Sequence, residues 1–276
     1  MEGDPAIVAL GALFARIASG LGFVEGAVFV AAALFARVGA TAAFLPGFGE
    51  RALPLRLKLA VAVAFTAAIW PAAGPLARPA AEAAARAGFA GVLGLILAEA
   101  AVGLILGLGL RFMVMALQLA GAIAAQATSV AQILGANATP DPMPAIGAIL
   151  ALGGIALAMA AGLHVKAAAM MIASYGAAPA GLALIPGDAA AWAMDRAGQV
   201  FSLALSLAAP FAAASFVYNL ALGAINRAMP QLMVAFVGAP AITAGALLIL
   251  WAAAPEILAR WGEAADLALI DPFGTR

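Results

Sequence analysis

The sequence has no cysteine and a single histidine, His164. Without thiols there is no disulfide, no thiolate nucleophile, no iron–sulfur cluster and no Cys-ligated zinc, and one imidazole cannot make a His-rich metal site. Charge is scarce as well. Lys and Arg number 13, as do Asp and Glu, so 9% of the 276 residues are charged and the net charge is zero, against about 25% charged residues in a soluble domain. That is too little to coat a water-soluble surface, and without a basic field no nucleic acid is expected as a partner. Also missing are a phosphate-binding Gly-Lys-Ser/Thr loop, a Gly-x-Ser-x-Gly elbow, paired carboxylates and a histidine beside a nucleophile. Neither enzymatic chemistry nor a cofactor is expected. What remains is apolar: 66% of residues are hydrophobic and the mean hydropathy is +1.11. The chain reads as an all-α, polytopic integral membrane protein.

The first residues, Met1 to Pro5, are acidic rather than basic, so the apolar stretch from Ala6 to Gly22 is expected to be structure rather than a cleaved signal. It is short for a span, which takes about 20 helical residues. Further apolar runs lie at Ala27–Leu45, Leu57–Ala73, Phe89–Leu110, Phe112–Ala125, Ala145–Leu163, Ala167–Ile185, Val200–Leu222 and Leu232–Ala254. Backbone groups in lipid must bond within their own segment, and no run alternates with period two, so each is read as helix. Proline and glycine clusters mark the expected turns or broken helices: Pro46 to Gly49 then Pro54, Pro71 to Pro79, Thr139 to Pro144, Pro179 to Gly187, and Met229-Pro230-Gln231. No connection is long enough for a soluble domain. Arg51, Arg56 and Lys58 in one expected connection and Arg78 and Arg86 in the next conflict with the positive-inside rule if Leu57–Ala73 spans alone. That run is therefore either a re-entrant element or part of a helix set that does not cross a bilayer in the ordinary way.

Charged residues inside apolar segments cost about 2.5–3.5 kcal/mol each on insertion scales and require partners or a cavity. Arg16, Arg37, Glu99, Arg111, Lys166 and Arg227 are of this kind. Glu99 reads as a proton or cation site or as half of a salt bridge to an arginine. The salt bridge is preferred, since one carboxylate without an acidic neighbour is a poor relay. Gln118, Ser129 and Gln132 fall within about 60° on one helical face and could line an aqueous conduit or hydrogen-bond between helices. Gly103 and Gly107 form a small-residue pair of the sort that arises by chance in so Ala-rich a chain. Met113, Met115, Met170 and Met171 read as core filling.

Two stretches carry more than composition. The first is Phe35-Ala36-Arg37-Val38-Gly39 followed by Leu45-Pro46-Gly47-Phe48-Gly49-Glu50-Arg51-Ala52-Leu53-Pro54. The second is Leu220 to Val234, containing Gly223 and Asn226-Arg227-Ala228-Met229-Pro230-Gln231, with Phe236-Val237-Gly238-Ala239-Pro240 after it. Between them Gly162-Leu163-His164, Ser174, Pro179 and Gly181 keep the same order. The whole resembles the FliR family of flagellar biosynthetic export proteins. It departs from the pattern at Ala239, Ala241 and Thr243 around Pro240 and at Lys166.

The resemblance implies a structural subunit of the type III protein export gate in the bacterial cytoplasmic (inner) membrane, at the mouth of the conduit for unfolded flagellar proteins. It implies FliP-like and FliQ-like membrane subunits and an FlhB-like switch protein as partners, besides the lipid bilayer and unfolded export substrates. It divides one membrane-embedded domain into a FliP-like part (1–199), a FliQ-like helical hairpin (200–254) and a C-terminal tail (255–276). Arg37, Pro46, Gly47, Gly49, Pro54, Glu99, Gly223, Asn226, Arg227, Pro230, Gln231, Gly238 and Pro240 become subunit-interface or structural-motif residues. Charges at Arg16, Arg37, Glu99 and Arg227 would then face partners, and Asn226 to Gln231 would make a sharp turn between two long C-terminal helices. A virulence-type injectisome subunit is the alternative within the family's relatives. A secondary transporter or channel is the rival outside it, although the chain shows neither an internal repeat nor a cluster of acidic ligands.

Overall fold

Ala- and Leu-rich segments whose backbone must be satisfied internally have helix as their natural state, and helix is what they adopt in the computed structural model. It describes residues 26–50, 52–128, 144–229 and 234–274, apart from the side chains of Asn226 and 234–240. The helices are α1 Gly26–Phe44, α2 Leu55–Arg86, α3 Gly88–Thr128, α4 Ala145–Ala160, α5 Leu163–Ala177, α6 Pro186–Ala228 and α7 Val234–Ile270. No strand occurs among the described residues. Among the described residues, five helices contain a stretch long and apolar enough to cross a membrane: α1, α2, α3, Pro186–Ile225 of α6 and Ala241–Ile270 of α7. The shorter α4 and α5 qualify only as a pair, bent by 74° at their break. The break falls at Ala161-Gly162, where Gly162 takes the left-handed conformation, φ 80°, that ends many helices.

Two expected breaks are absent. Phe89–Leu110 and Phe112–Ala125 form the single helix α3, because only Arg111 separates them and arginine is a good helix former. The cluster Pro71 to Pro79 also fails to end a helix: α2 runs unbroken through Pro71, Pro75 and Pro79. All three prolines lie on its exposed side, while Ala73, Gly74, Ala77 and Ala81 on the opposite side are buried. Arg56, Lys58, Arg78 and Arg86 thus belong to one helix rather than to two loops, and the topology conflict inferred from loop charges loses its premise.

Elsewhere proline and glycine act as expected. Helix α5 stops at Ala177, just before Pro179, and α6 begins at Pro186, whose missing N–H is no loss in a first turn. Asp188 in that first turn complements the helix dipole. Residues 199 and 254, where the expected parts meet, both fall inside helices, since α6 starts at Pro186 and α7 continues to Ile270. The segment joining α6 to α7 includes Pro230 and Gln231, which lie outside the described residues.

The chain divides into two compact units. One comprises Met1–Gly107 and Ala167–Pro186, the other Leu108–Lys166 and Gly187–Arg276. In the second, Met113, Leu117, Ile146, Leu150, Phe211 and Trp261 are the heart of an apolar core. Gly121 meets Gly147 so closely that a Cβ would overlap its Cα, which lets α3 and α4 touch backbone to backbone. The indole Nε1 of Trp261 donates to Met113 O at 2.7 Å, giving the buried ring its one polar group a partner.

Candidate functional site

The first unit has a charged centre. On α1 the buried residues Val30, Ala33, Leu34, Arg37, Val38, Thr41 and Ala42 follow helical spacing, so Arg37 occupies a core position in a stripe that is apolar apart from it and Thr41. The same holds for Glu99 among Leu95, Val102 and Leu106 on α3, and for Ser174 and Tyr175 among Ala167, Met170 and Met171 on α5. Each helix brings polar atoms to a face that periodicity directs inward. They must find one another.

They do. Arg37 Nε donates to Glu99 Oε2 at 2.9 Å and its Nη2 to Glu99 Oε1 at 3.0 Å, a bidentate pair with both side chains 0% exposed. Arg37 Nη1 donates to Ser174 Oγ at 3.0 Å and Nη2 also to Ala178 O at 2.9 Å. Glu99 accepts two further bonds, from Tyr175 OH at 3.0 Å and from Gly181 N at 2.9 Å. The Ser174 hydroxyl donates to Met171 O at 2.7 Å, and the Tyr175 ring lies 3.7 Å from the guanidinium carbon, within cation–π range. Gly181 presents its amide from a left-handed conformation, φ 77°, which suits glycine.

Close helix approach makes this geometry possible. A Cβ on Gly103 would overlap Arg37 O, and one on Gly107 would lie 2.8 Å from Thr41 O. The Thr41 hydroxyl bonds to Arg37 O at 2.8 Å and to Gly103 O at 3.1 Å. Two glycines four apart on α3 therefore receive two residues four apart on α1. The reading of Gly103 and Gly107 as a chance pair is corrected: they are the contact surface between these helices, as small residues are in membrane packing. The sequence signal was the match in spacing with Arg37 and Thr41.

Chemically, Glu99 accepts four hydrogen bonds, about the full acceptor capacity of a carboxylate. Such a group is held in one position from both of its oxygens. Nor do Arg37 and Glu99 await partners: each satisfies the other within the chain, contrary to the expectation for these two charges. Among the described residues no group of three His, Asp or Glu side chains converges to hold a metal ion.

The other residues singled out in the sequence fall in three places. The N-terminal motif forms the turn after α1. Pro46 is buried, Gly47 has φ 81°, and Gly49 bonds through its amide to Leu45 O at 2.7 Å while pressed against the backbone of Ala43. Lys58 Nζ donates to Gly49 O at 3.0 Å, and Phe48 meets Phe65 edge to face with centroids 5.9 Å apart. Pro54 precedes α2, and its carbonyl accepts the amide of Leu57 at 3.0 Å.

At the end of α6, Gly223 has open space around it, and Arg227 is exposed in the last turn, where a positive charge suits the helix dipole. The side chain of Asn226 and all of Pro230 and Gln231 lie outside the described residues. Gly238 and Pro240 belong to α7, their side-chain surroundings likewise outside them. Of the suggested conduit stripe, Gln118 is half-buried on α3, whereas Ser129 and Gln132 lie outside the described residues, as does Arg16. His164 is exposed, and Lys166 pairs with Asp266 at 2.7 and 2.9 Å.

Comparison with known proteins converges on one family. The chain matches the family described as Bacterial export proteins, family 1, over residues 28–268, a span containing the whole charged centre. It is 32% identical over 214 residues to the flagellar biosynthetic protein FliR of Caulobacter vibrioides, covering 77% of this chain and 83% of that protein.

Proposed function

The chain belongs to the FliR family of bacterial export proteins and is a membrane-embedded component of flagellar protein export, and on that premise we propose that it is a structural subunit of the export gate. In this reading it helps to form the mouth of the conduit that passes unfolded flagellar proteins across the cytoplasmic membrane. It assembles there with FliP-like and FliQ-like subunits and with an FlhB-like switch protein. Residues 1–199 serve as the FliP-like part and 200–254 as the FliQ-like hairpin.

The observation that carries the structural role is the saturation of Glu99. Among the described residues it is the one buried carboxylate, and its four hydrogen bonds make it a fastener rather than a coupling site. A pump of this size needs an acidic group free to exchange protons or cations.

Co-expression with the FliP-like and FliQ-like proteins of the same organism tests this reading. A single detergent-resistant complex containing this chain is expected, and the purified chain in liposomes should show no substrate-dependent proton or sodium uptake. Coupled uptake, or partners that assemble equally well without this chain, would overturn it. Within that complex Arg227 is proposed to face a neighbouring subunit. Arg227→Ala should abolish assembly and export together, and normal export in that variant would leave Arg227 no role beyond reaching the membrane edge.

A further inference from the structure

The three prolines of α2 have a chemical consequence. An α-helical carbonyl is normally satisfied by the amide four residues later, and proline has none. Pro71 therefore deprives the carbonyl of Ala67, Pro75 that of Pro71, and Pro79 that of Pro75. The spacing of four places all three acceptors along one line. That line is exposed: Ala67, Pro71, Pro75 and Pro79 all lie on the open side of α2, beside a second open row of Ala64, Ala68 and Ala72. The buried residues Ala62, Thr66, Ile69, Ala73, Ala77 and Ala81 occupy the other side.

Lipid tails cannot donate to these carbonyls, and a backbone acceptor left unpaired in hydrocarbon is strongly disfavoured. The side chains of these rows are small, so another helix could pack closely against α2. From Ala64 to Pro75 both rows carry only alanine and proline, with the large apolar residues Val63 and Leu76 at their ends. Two independent features, freed acceptors and a smooth small-residue surface, thus describe one occupant.

We propose that the Ala64–Pro79 face of α2 is a docking surface for a helix of a neighbouring subunit that presents hydroxyl or amide side chains to the carbonyls of Ala67, Pro71 and Pro75. The proposal rests on the reading of this chain as a gate subunit and assigns one face of it a partner chemistry. The prolines are then the source of the acceptors rather than devices for bending the helix.

The absence of cysteine permits a direct test in the co-purified complex. A nitroxide attached at Ala68→Cys should be immobilised, with low collision rates for both oxygen and a water-soluble nickel chelate. High oxygen accessibility would place the face in lipid and high nickel accessibility would place it in water, and either result overturns the proposal. Ala68→Phe provides a second arm. The residue is exposed, so the chain should reach the membrane at the wild-type level while recovery of complex falls at least tenfold. Undiminished complex with this variant overturns the docking surface while leaving the gate reading intact. Failure of the wild-type chain to form any complex would instead refute the gate reading itself.

Discussion

Around Glu99 three helices are joined through a charged, fully hydrogen-bonded cluster, whereas around Trp261 the second unit closes on side chains that are apolar almost throughout. The two solutions arise from similar Ala- and Leu-rich helices. Apolar packing needs matched volumes and tolerates sliding by a turn, while a bidentate ion pair has one geometry and fixes register. In a membrane the difference is sharper, because lipid tails are as apolar as a leucine side chain and helix association leans on close packing and polar contacts. The first unit combines Gly103 and Gly107 with the Arg37–Glu99 pair. The second relies on Gly121 against Gly147 and on the indole bond of Trp261 to Met113.

The largest expected effect follows from breaking the charged cluster. Glu99→Ala leaves a buried guanidinium without its counter-charge and should cost about 3–5 kcal/mol, read as a lowered unfolding temperature of the purified protein in detergent. The double variant Arg37→Met, Glu99→Leu removes both charges and should recover most of that loss, since an ion pair is often replaceable by apolar groups of similar volume. A double variant as damaged as the single one would show that the cluster holds the unit by more than charge compensation.

The charged centre was only partly readable beforehand. Arg37 and Glu99 stand out because a charge at a core position of an apolar helix needs an explanation, and a salt bridge was the favoured one. Their pairing across 62 residues has no local signature, and Tyr175 gave no signal at all, since an aromatic residue on an apolar face ordinarily reads as packing. Helix type was legible across the described residues, whereas helix boundaries were less so. Arg111 was given a separating role that one good helix former cannot perform. The prolines of α2 were read through their missing amides, although their spacing of four confines that defect to one exposed face. The composition that made Gly103 and Gly107 look accidental is the composition that close helix packing requires.

A smaller effect separates the two kinds of core. Gly103→Ala and Gly121→Ala each force a Cβ into opposing backbone and should each cost about 1–3 kcal/mol through overpacking. They should differ in coupling. Moving α1 away from Gly103 pulls Arg37 from Glu99, so Gly103→Ala combined with Glu99→Ala should cost clearly less than the sum of the two. Gly121→Ala shares no partner with Glu99 and should add to it within about 0.5 kcal/mol. Unfolding curves for the three single variants, the two double variants and the wild type decide this. Additivity in both combinations would mean that the glycine contact and the ion pair act independently in the first unit.

The smallest effect belongs to an exposed ion pair of the second unit. Lys166 and Asp266 meet at 2.7 Å, closer than Arg37 and Glu99, yet their side chains are 38% and 52% exposed. Distance alone would rank this pair as the stronger, while solvent ranks it as much the weaker. Exposed pairs contribute about 0–1 kcal/mol, because water screens the attraction and two flexible side chains must be ordered to make it. Lys166→Ala should therefore shift the unfolding temperature little, and raising salt from roughly 0.1 M to 1 M, which shortens the screening length from about 10 Å to 3 Å, should erase the remaining difference from wild type. The penalty of Glu99→Ala should persist under the same change, since its charges lie where ions do not reach. A salt-insensitive loss in Lys166→Ala comparable to that of Glu99→Ala would show that the Lys166–Asp266 pair is shielded from solvent in the assembled protein.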